Sequence, residues 1–279
     1  LGSGCSLDRC QKTMIFIIAE AGVNHGGNID TAKRLINAAK ASGANAVKFQ
    51  AFTPERLDPP GARRDMLERL KLSKKQLIEL SDYAKWRGIE FMVTPFDAEW
   101  CRWCFQNLSL RRVKIASGCL WDTELLEAAR DTGLPVILST GLTDSAEFLK
   151  AISIIRHDYT VMHCVSRYPT VPEELNLLRV GNFADDGGYS VGFSDHSTSI
   201  LPPALAVALG ATVIEKHLTL SRSHEGPDHM SSLEPVEFAE MVYLARQAEK
   251  MLGSSVMWPP HPEFAGSVKK ERMAWRRTS

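Results

Sequence analysis

Short apolar runs and helical stretches alternate eight times along this chain, and that alternation restricts the fold more than any other feature. The apolar runs are MIFIIAE (14–20), NAVKFQ (45–50), IEFMVTPF (89–96), RRVKIAS (111–117), LPVILST (134–140), YTVMHCVS (159–166), YSVGFSD (189–195) and ATVIEKHLTL (211–220). Segments with helical spacing of apolar residues follow them. IDTAKRLINAAKAS (29–42) is closed by Gly43, and SKKQLIELSDYAKWRG (73–88) opens on Ser73 and closes on Gly88. Further helices are expected near 98–107, 121–132 and 143–156, in a looser segment near 172–184, and over 201–210 and 236–253. Pro202 and Pro203 fit the first turn of the 201–210 helix.

Strand cores such as IFIIA, TVIEK and PVILS are continuously apolar or β-branched, as strands buried on both faces must be. Eight such βα units predict an α/β fold, a closed (β/α)8 TIM barrel, which typically takes about 250 residues. A doubly wound open sheet is the alternative. It carries a glycine-rich phosphate turn after its first strand, whereas EAGVNHGG lacks the GxGxxG spacing. The barrel is expected over 14–253. LGSGCSLDRCQKT (1–13) reads as an N-terminal tail, with Met14 a candidate native start, and 254–279 as a linker or docking arm.

The 33 basic and 33 acidic residues cancel, so no global charge draws the chain to nucleic acid or an anionic membrane. An anionic substrate must be held by a local cluster. No apolar run reaches the roughly 18 residues of a membrane span, and the start has no apolar core like that of a signal peptide. The six cysteines are irregularly spaced and suggest a reducing, cytoplasmic setting rather than a disulfide framework. Cys101 and Cys104 form a CxxC with no second pair, and read as core or helix-face thiols rather than zinc ligands.

Barrel enzymes place their chemistry at the C-terminal ends of the strands. Here those ends read Glu20, Asn24 and His25; Lys48 and Gln50; Thr94; Lys114 and Ser117; Ser139 and Thr140; His163, Ser166 and Tyr168; Ser194, Asp195 and His196; Glu215, Lys216 and His217. Lys48 and Lys114 sit inside apolar strands, where a cation needs an anion. With hydroxyls at Thr94, Ser117, Ser139 and Ser194 they suit a small ligand with two anionic groups. The alternative is that the lysines pair only with Glu20 and Glu215. His196 and His217 end neighbouring strands and suit a divalent ion such as Mn2+, Co2+ or Zn2+. Core histidines bonded to backbone are the alternative.

These residues lie in FIIAEAGVNHGG, AVKFQAF, GIEFMVTPFD, VKIASG, PVILSTG, HCVSRYPT, GFSDHS, GATVIEKHLTL and GPDHMSSLEP. In that order they resemble the N-acetylneuraminate (sialic acid) synthase family, which includes legionaminate, pseudaminate and spore-coat polysaccharide synthases. The likeness runs from about Ile15 to Gly253. It implies condensation of phosphoenolpyruvate with an N-acetylated amino-sugar aldehyde, such as N-acetylmannosamine, giving a sialic-acid-like nonulosonic acid and phosphate. It also implies a divalent metal, Mn2+ first, with Mg2+ or Co2+ as alternatives. Carried over motif by motif, the metal ligands are His196 and His217. The phosphoenolpyruvate contacts are Lys48, Thr94, Lys114, Ser117, Ser139, Ser166 and Ser194. The sugar contacts are Gln50, Tyr168 and Asp228, and the active-site acids are Glu20 and Glu215.

By the same resemblance, carbon 3 of phosphoenolpyruvate attacks the aldehyde, water adds at carbon 2, and phosphate leaves by C–O cleavage. Glu20 is the first candidate to orient or deprotonate the water, with Glu215 second. His25 and His229 are expected on the surface. Typical bacterial members carry a further C-terminal domain resembling type III antifreeze protein, which docks over the partner's barrel. Here the chain stops at RMAWRRTS, about where the linker to that domain is expected, and a homodimer is compatible with the resemblance. Two rival readings stay open. One is another phosphoenolpyruvate-dependent synthase making a keto-deoxy sugar phosphate, with Arg167 and Arg222 holding the second phosphate. The other is a non-catalytic phosphoenolpyruvate-binding barrel.

Overall fold

Parallel strands and helices alternate along the chain in a computed structural model that describes residues 14–186 and 188–253. The tails assigned to 1–13 and 254–279, with Cys5 and Cys10, lie outside the described residues. Residues 13–249 form one compact unit; of a second, 1–12 with 250–279, only 250–253 are described. The strands are β1 (Phe16–Gly22), β2 (Ala46–Ala51), β3 (Glu90–Pro95), β4 (Val113–Ile115), β5 (Val136–Ser139), β6 (Tyr159–Cys164), β7 (Ser190–Asp195) and β8 (Val213–His217). The helices are α1 (Ile29–Ala41), α2 (Pro54–Leu57), α3 (Ala62–Leu70), α4 (Lys74–Arg87), α5 (Ala98–Asn107), α6 (Thr123–Asp131), α7 (Ser145–Ile155), α8 (Leu178–Asp186), α9 (Pro202–Ala208) and α10 (Pro235–Leu252).

The strands form one parallel sheet in the order β3-β2-β1-β8-β7-β6-β5-β4. Because β1 pairs with both β2 and β8, the sheet curls on itself. Its two ends, β3 and β4, pack side by side and leave a nearly closed (β/α)8 barrel.

Helix boundaries follow local capping chemistry. Asn28, Asp97 and Asp122 each accept a first-turn backbone N–H, which satisfies a donor that the helix itself leaves orphaned. Ser73 with Gln76 and Asp144 with Glu147 form reciprocal capping boxes. Gly88 ends α4 in the left-handed conformation, at φ 68°. Two elements were not legible. α2 and α3 occupy the connection after β2, where Pro54 starts α2 and the strongly polar α3 fully buries only Leu70. The looser segment near 172–184 resolves into a 3-10 turn at Pro172–Glu174 and then α8.

The period-2 alternation of a strand sorts the core into two shells. On β1, Ile17, Ala19 and Ala21 face the helices, Ile18 faces the barrel interior, and Glu20 reaches a cavity at the C-terminal end. β2 repeats this with Val47 and Phe49 outward, Ala46 inward, and Lys48 and Gln50 at the cavity. Ile18, Ala46, Met92, Ile137, Met162 and Val213 form the apolar interior layer. Gly192 completes it without a side chain, because a Cβ there would lie 2.7 Å from Val213 O. Below this layer Arg112 pairs with Glu90 at 2.8 Å and covers the Phe16 ring at 3.9 Å. The interior is therefore plugged from beneath, and the polar side chains of Glu20, Lys48, Lys114 and Glu215 gather above it, at the cavity.

Candidate active site

One cavity of about 1070 Å³ opens at the C-terminal ends of the strands. It is lined by the proposed acids Glu20 and Glu215, the proposed anion contacts Lys48, Thr94, Lys114, Ser117, Ser139, Ser166 and Ser194, the proposed sugar contacts Gln50, Tyr168 and Asp228, and the two histidines His196 and His217. They come together because barrel closure sets the inward positions of neighbouring strands side by side. Glu20 is in register with Lys48 on one side and His217 on the other, and Ser194 with Glu215.

The cavity floor is a buried charge network. Lys48 Nζ donates to Thr94 Oγ1 at 2.7 Å. It forms ion pairs with Glu20 Oε2 at 2.8 Å and with Glu215 Oε2 at 3.5 Å. Lys114 Nζ donates to Glu215 Oε1 at 2.9 Å, and Ser194 Oγ donates to the same oxygen at 3.0 Å. Gln50 Nε2 donates to Glu20 Oε1 at 3.1 Å. The pairing of Lys48 with both glutamates and of Lys114 with Glu215 accounts for the burial of all four. It does not account for Ser139, whose Oγ is buried with no partner, or for Ser117 and Ser166, whose hydroxyls meet only each other at 3.2 Å. Unused hydroxyls beside two ammonium groups make a site suited to anionic oxygens.

The two carboxyls differ in character. Burial raises the Glu20 pKa, against the pull of Lys48 and with the repulsion of Glu215. Burial also acts on Glu215, but Lys114 and Lys48 outweigh it and hold that carboxyl below its usual range. Lys48 is pulled down by burial, yet Glu20 and Glu215 leave its pKa raised. Glu215 is thus a fixed charge, whereas Glu20 is the one of the two placed to exchange a proton.

His196 and His217 stand with ring centroids 5.5 Å apart. His196 Nδ1 meets the Val165 carbonyl at 2.6 Å and must carry the proton, because a carbonyl cannot donate. Its Nε2 is then a lone pair, which accepts from Tyr168 OH at 3.0 Å. His217 Nδ1 is buried without a hydrogen bond, 3.9 Å from Asp228 Oδ2. Burial lowers both imidazole pKa values, and the neighbouring His196 lowers His217 further. Neutral imidazoles are the metal-binding form. Among the described residues no three His, Cys, Asp or Glu side chains gather as a metal cluster. Two neutral imidazoles, His196 and His217, are the donors of this kind that the cavity presents. Burial, with the charge of Glu20, pushes Asp228 up to about 7. At Gly22, φ is +51° and a Cβ would lie 3.1 Å from Asp228 Oδ2 and 3.3 Å from Glu20 Oε1. The site needs glycine there for both conformation and space.

Several strand-end residues do not face the cavity. His163 points outward, with Nε2 on Leu175 O at 2.7 Å and its ring stacked on Phe193. Asp195 and Lys216 also point outward and pair with each other. Asn24 ties Leu218 O to Ser232 Oγ, and Thr140 Oγ1 donates to Met162 O. The expected surface placement of His25 and His229 is wrong: each is only 2% exposed. His25 packs on the outward-facing Phe49 and accepts from Gly27 N–H, while His229 bonds Thr219. Arg167 pairs with Glu174 and Arg222 with Glu237, and neither lines the cavity. The second-phosphate role suggested for them finds no geometry here.

Lining residues missed in the sequence include Cys164, whose inward position two after Met162 was a usable signal, and Arg56, Arg63, Arg102, Trp121 and Leu142 at the mouth. The mouth residues lie on helices and loops whose reach over the barrel has no local signature. Cys101, Cys104, Cys119 and Cys164 are all buried and free. No described helix is long and apolar enough to cross a membrane.

Residues 35–257 match the NeuB family. The chain is 40% identical over 272 residues to N,N'-diacetyllegionaminic acid synthase of Legionella pneumophila, covering 89% of this chain and 76% of that one. It is 34% identical over 261 residues to mouse N-acetylneuraminate-9-phosphate synthase, covering 87% and 72%. Its fold superposes on the N-acetylneuraminic acid (sialic acid) synthetase of Leptospira borgpetersenii, solved with citrate, at a TM-score of 0.88 and 35% identity, covering 94% and 92%.

Proposed function

This chain belongs to the NeuB family, and from that premise we propose that it condenses phosphoenolpyruvate with an N-acetylated amino-sugar aldehyde to give a nonulosonic acid and phosphate. It is an enzyme of the sialic acid synthase type. The observation that carries the reading is the pairing of two buried ammonium groups with unused hydroxyls at one barrel rim. Ser139 Oγ in particular is buried, unpartnered and on the cavity wall.

In this reading Lys48 and Lys114 hold the carboxylate and phosphate of phosphoenolpyruvate, with Thr94, Ser117, Ser139, Ser166 and Ser194 donating to their oxygens. The fixed ammonium charges also stabilise the departing phosphate. Glu20, with its raised pKa, orients and deprotonates the water that adds at carbon 2. Glu215 stays ionised and keeps both lysines in place. Gln50, Tyr168 and Asp228 contact the sugar. His196 and His217 would hold a divalent ion, Mn2+ first. When bound, that ion supplies Lewis-acid polarisation of the aldehyde. For His196 to serve as a ligand, its Nε2 would have to give up the Tyr168 hydroxyl. Holding both substrates over one floor lowers the barrier by several kcal/mol or more through proximity, on the order of 7–11 kcal/mol at best. A cytoplasmic location belongs to the same proposal, supported by the free buried thiols.

The test is phosphate release from phosphoenolpyruvate with Mn2+ and a panel of N-acetylated amino sugars, beside an EDTA control. Sugar-dependent, EDTA-sensitive release with a nonulosonic acid product is expected. Binding of phosphoenolpyruvate without release for any sugar would overturn the catalytic reading in favour of a binding barrel.

A further inference from the structure

Lys216 lies on β8 between Glu215 and His217, yet it takes no part in the cavity they line. Strand alternation turns its side chain outward, into the layer between barrel and helices. It is 0% exposed and among the largest fully buried side chains of the protein. Its outward neighbours Ile214, Leu218 and Phe193 are apolar, and the charged residue in register with it is Asp195 on β7.

Its ammonium is fully engaged. Nζ donates to Asp195 Oδ2 at 2.6 Å, to Ser197 O at 2.5 Å and to Ser199 O at 3.1 Å, with Ser197 Oγ at 3.3 Å. Asp195 is 1% exposed, and its second oxygen accepts from Ser197 N–H at 2.8 Å. The stretch 195–199 therefore wraps around one buried charge. His196 is the residue in that wrap whose side chain turns the opposite way, into the cavity. Its carbonyl accepts from Thr170 N–H at 3.0 Å, and its ring is held by Val165 O. The backbone carrying the imidazole is thus clamped from the helix side, and the ring from the cavity side.

A buried ion pair is poor evidence for stability, since well-packed apolar residues of similar volume often serve as well or better. What this pair does that apolar residues cannot is bind two backbone carbonyls, Ser197 O and Ser199 O, to a single point. We propose that Lys216 is a positioning residue for the cation site: through Asp195 and the carbonyls of Ser197 and Ser199 it fixes the turn that presents His196 Nε2, and so sets the affinity for a divalent ion. Because Lys216 shares β8 with His217, it references both imidazoles to the same strand. The inference rests on the reading that His196 and His217 hold the ion.

The experiment measures Mn2+ binding by electron paramagnetic resonance of the free ion, on the full chain without substrates. Wild type, Lys216→Met and Asp195→Asn are compared, and phosphoenolpyruvate affinity is followed in parallel by calorimetry without metal. Lys216→Met is expected to weaken Mn2+ binding by roughly 10–100-fold, the range seen when an outer partner of a metal ligand is removed. Phosphoenolpyruvate affinity should move by about 3-fold or less, because Lys48 and Lys114 do not touch the clamp. A merely structural loss would lower both. Asp195→Asn decides the matter if Lys216→Met fails to fold, since it keeps the side-chain volume and removes only the charge. Folded variants that bind Mn2+ within about 2-fold of wild type overturn the inference and leave the two-histidine site standing. Failure of both variants to fold also overturns it, by making the pair a folding requirement. Absence of Mn2+ binding by the wild type removes the site and this inference with it.

Discussion

Replacing Glu215 with glutamine tests whether its carboxylate is the counter-ion that keeps two lysines buried. In the structure two ammonium groups, Lys48 and Lys114, face two carboxyls, Glu20 and Glu215. Lys114 has only Glu215 as an ion-pair partner among the described residues, at 2.9 Å. Glu215→Gln keeps the shape and a carbonyl acceptor for Ser194, but leaves one buried positive charge uncompensated. Removing one partner of a buried pair costs about 3–5 kcal/mol. For a domain of this size about 2–4 °C of Tm goes with each kcal/mol, so the melting temperature should fall by about 6–20 °C. Two further signs follow. The Glu215 pKa is depressed in the folded state, so its stabilisation is complete above the unfolded carboxyl value and is lost only as pH falls through the lower folded value. The gap between wild type and variant should therefore hold from pH 8 to about 5 and close only in stronger acid. Added phosphoenolpyruvate should raise the Tm of the variant more than that of wild type, because the ligand supplies the missing negative charge. Differential scanning fluorimetry across pH, with and without ligand, reads all three. A fall of less than about 2 °C at pH 7, or an equal ligand shift in both proteins, would refute the counter-ion reasoning.

Ser139→Ala should separate stability from binding. Its hydroxyl is buried and unpartnered, so removal should leave Tm level or slightly raised, while KM for phosphoenolpyruvate rises about 10–100-fold if the hydroxyl donates to an anionic oxygen. Burial pushes His25 down to about 4, below the ordinary histidine value of about 6.5, so the unfolded chain binds the extra proton first. Its contribution to stability is complete above about pH 6.5 and falls by up to about 3 kcal/mol on approach to pH 4; in urea titrations, His25→Asn should lack this slope. Burial pushes Cys101 and Cys104 up to about 12. Iodoacetamide at pH 8 should therefore label their peptides at least about 100-fold more slowly in the folded protein than in urea, as mass spectrometry can follow.

The barrel was legible because its information is local. Ser73 with Gln76 and Gly88 delimit α4 within one stretch of chain, and the β-branched run of each strand needs no partner to be recognised. The lining of the cavity was legible for the same reason. Once β1 is a strand, Glu20 must lie on the face of Ile18, two residues before it. What failed was the reading of residues by type alone. Lys114 and Lys216 are both lysines inside apolar strands, yet one faces the cavity and the other the helix layer. His25 and His229 read as surface residues because nothing in a loop's own composition says that Phe49 and Thr219 will bury them.

The sequence by itself determined the eight βα units, the helix caps, the parity that sends Glu20, Lys48, Lys114 and Glu215 to one rim, and the motifs shared with the NeuB family. Only the tertiary structure decided how those charges pair and what each becomes. The bond from Lys114 to Glu215 joins residues 101 positions apart, and it holds one glutamate ionised while burial beside Lys48 raises the other. It also decided that His196 offers Nε2 rather than Nδ1, because a carbonyl from the β6 loop reaches its ring. The physical reason is range. Periodicity and capping act within a few residues, whereas protonation and pairing depend on distances of a few ångströms that exist only once the barrel has closed.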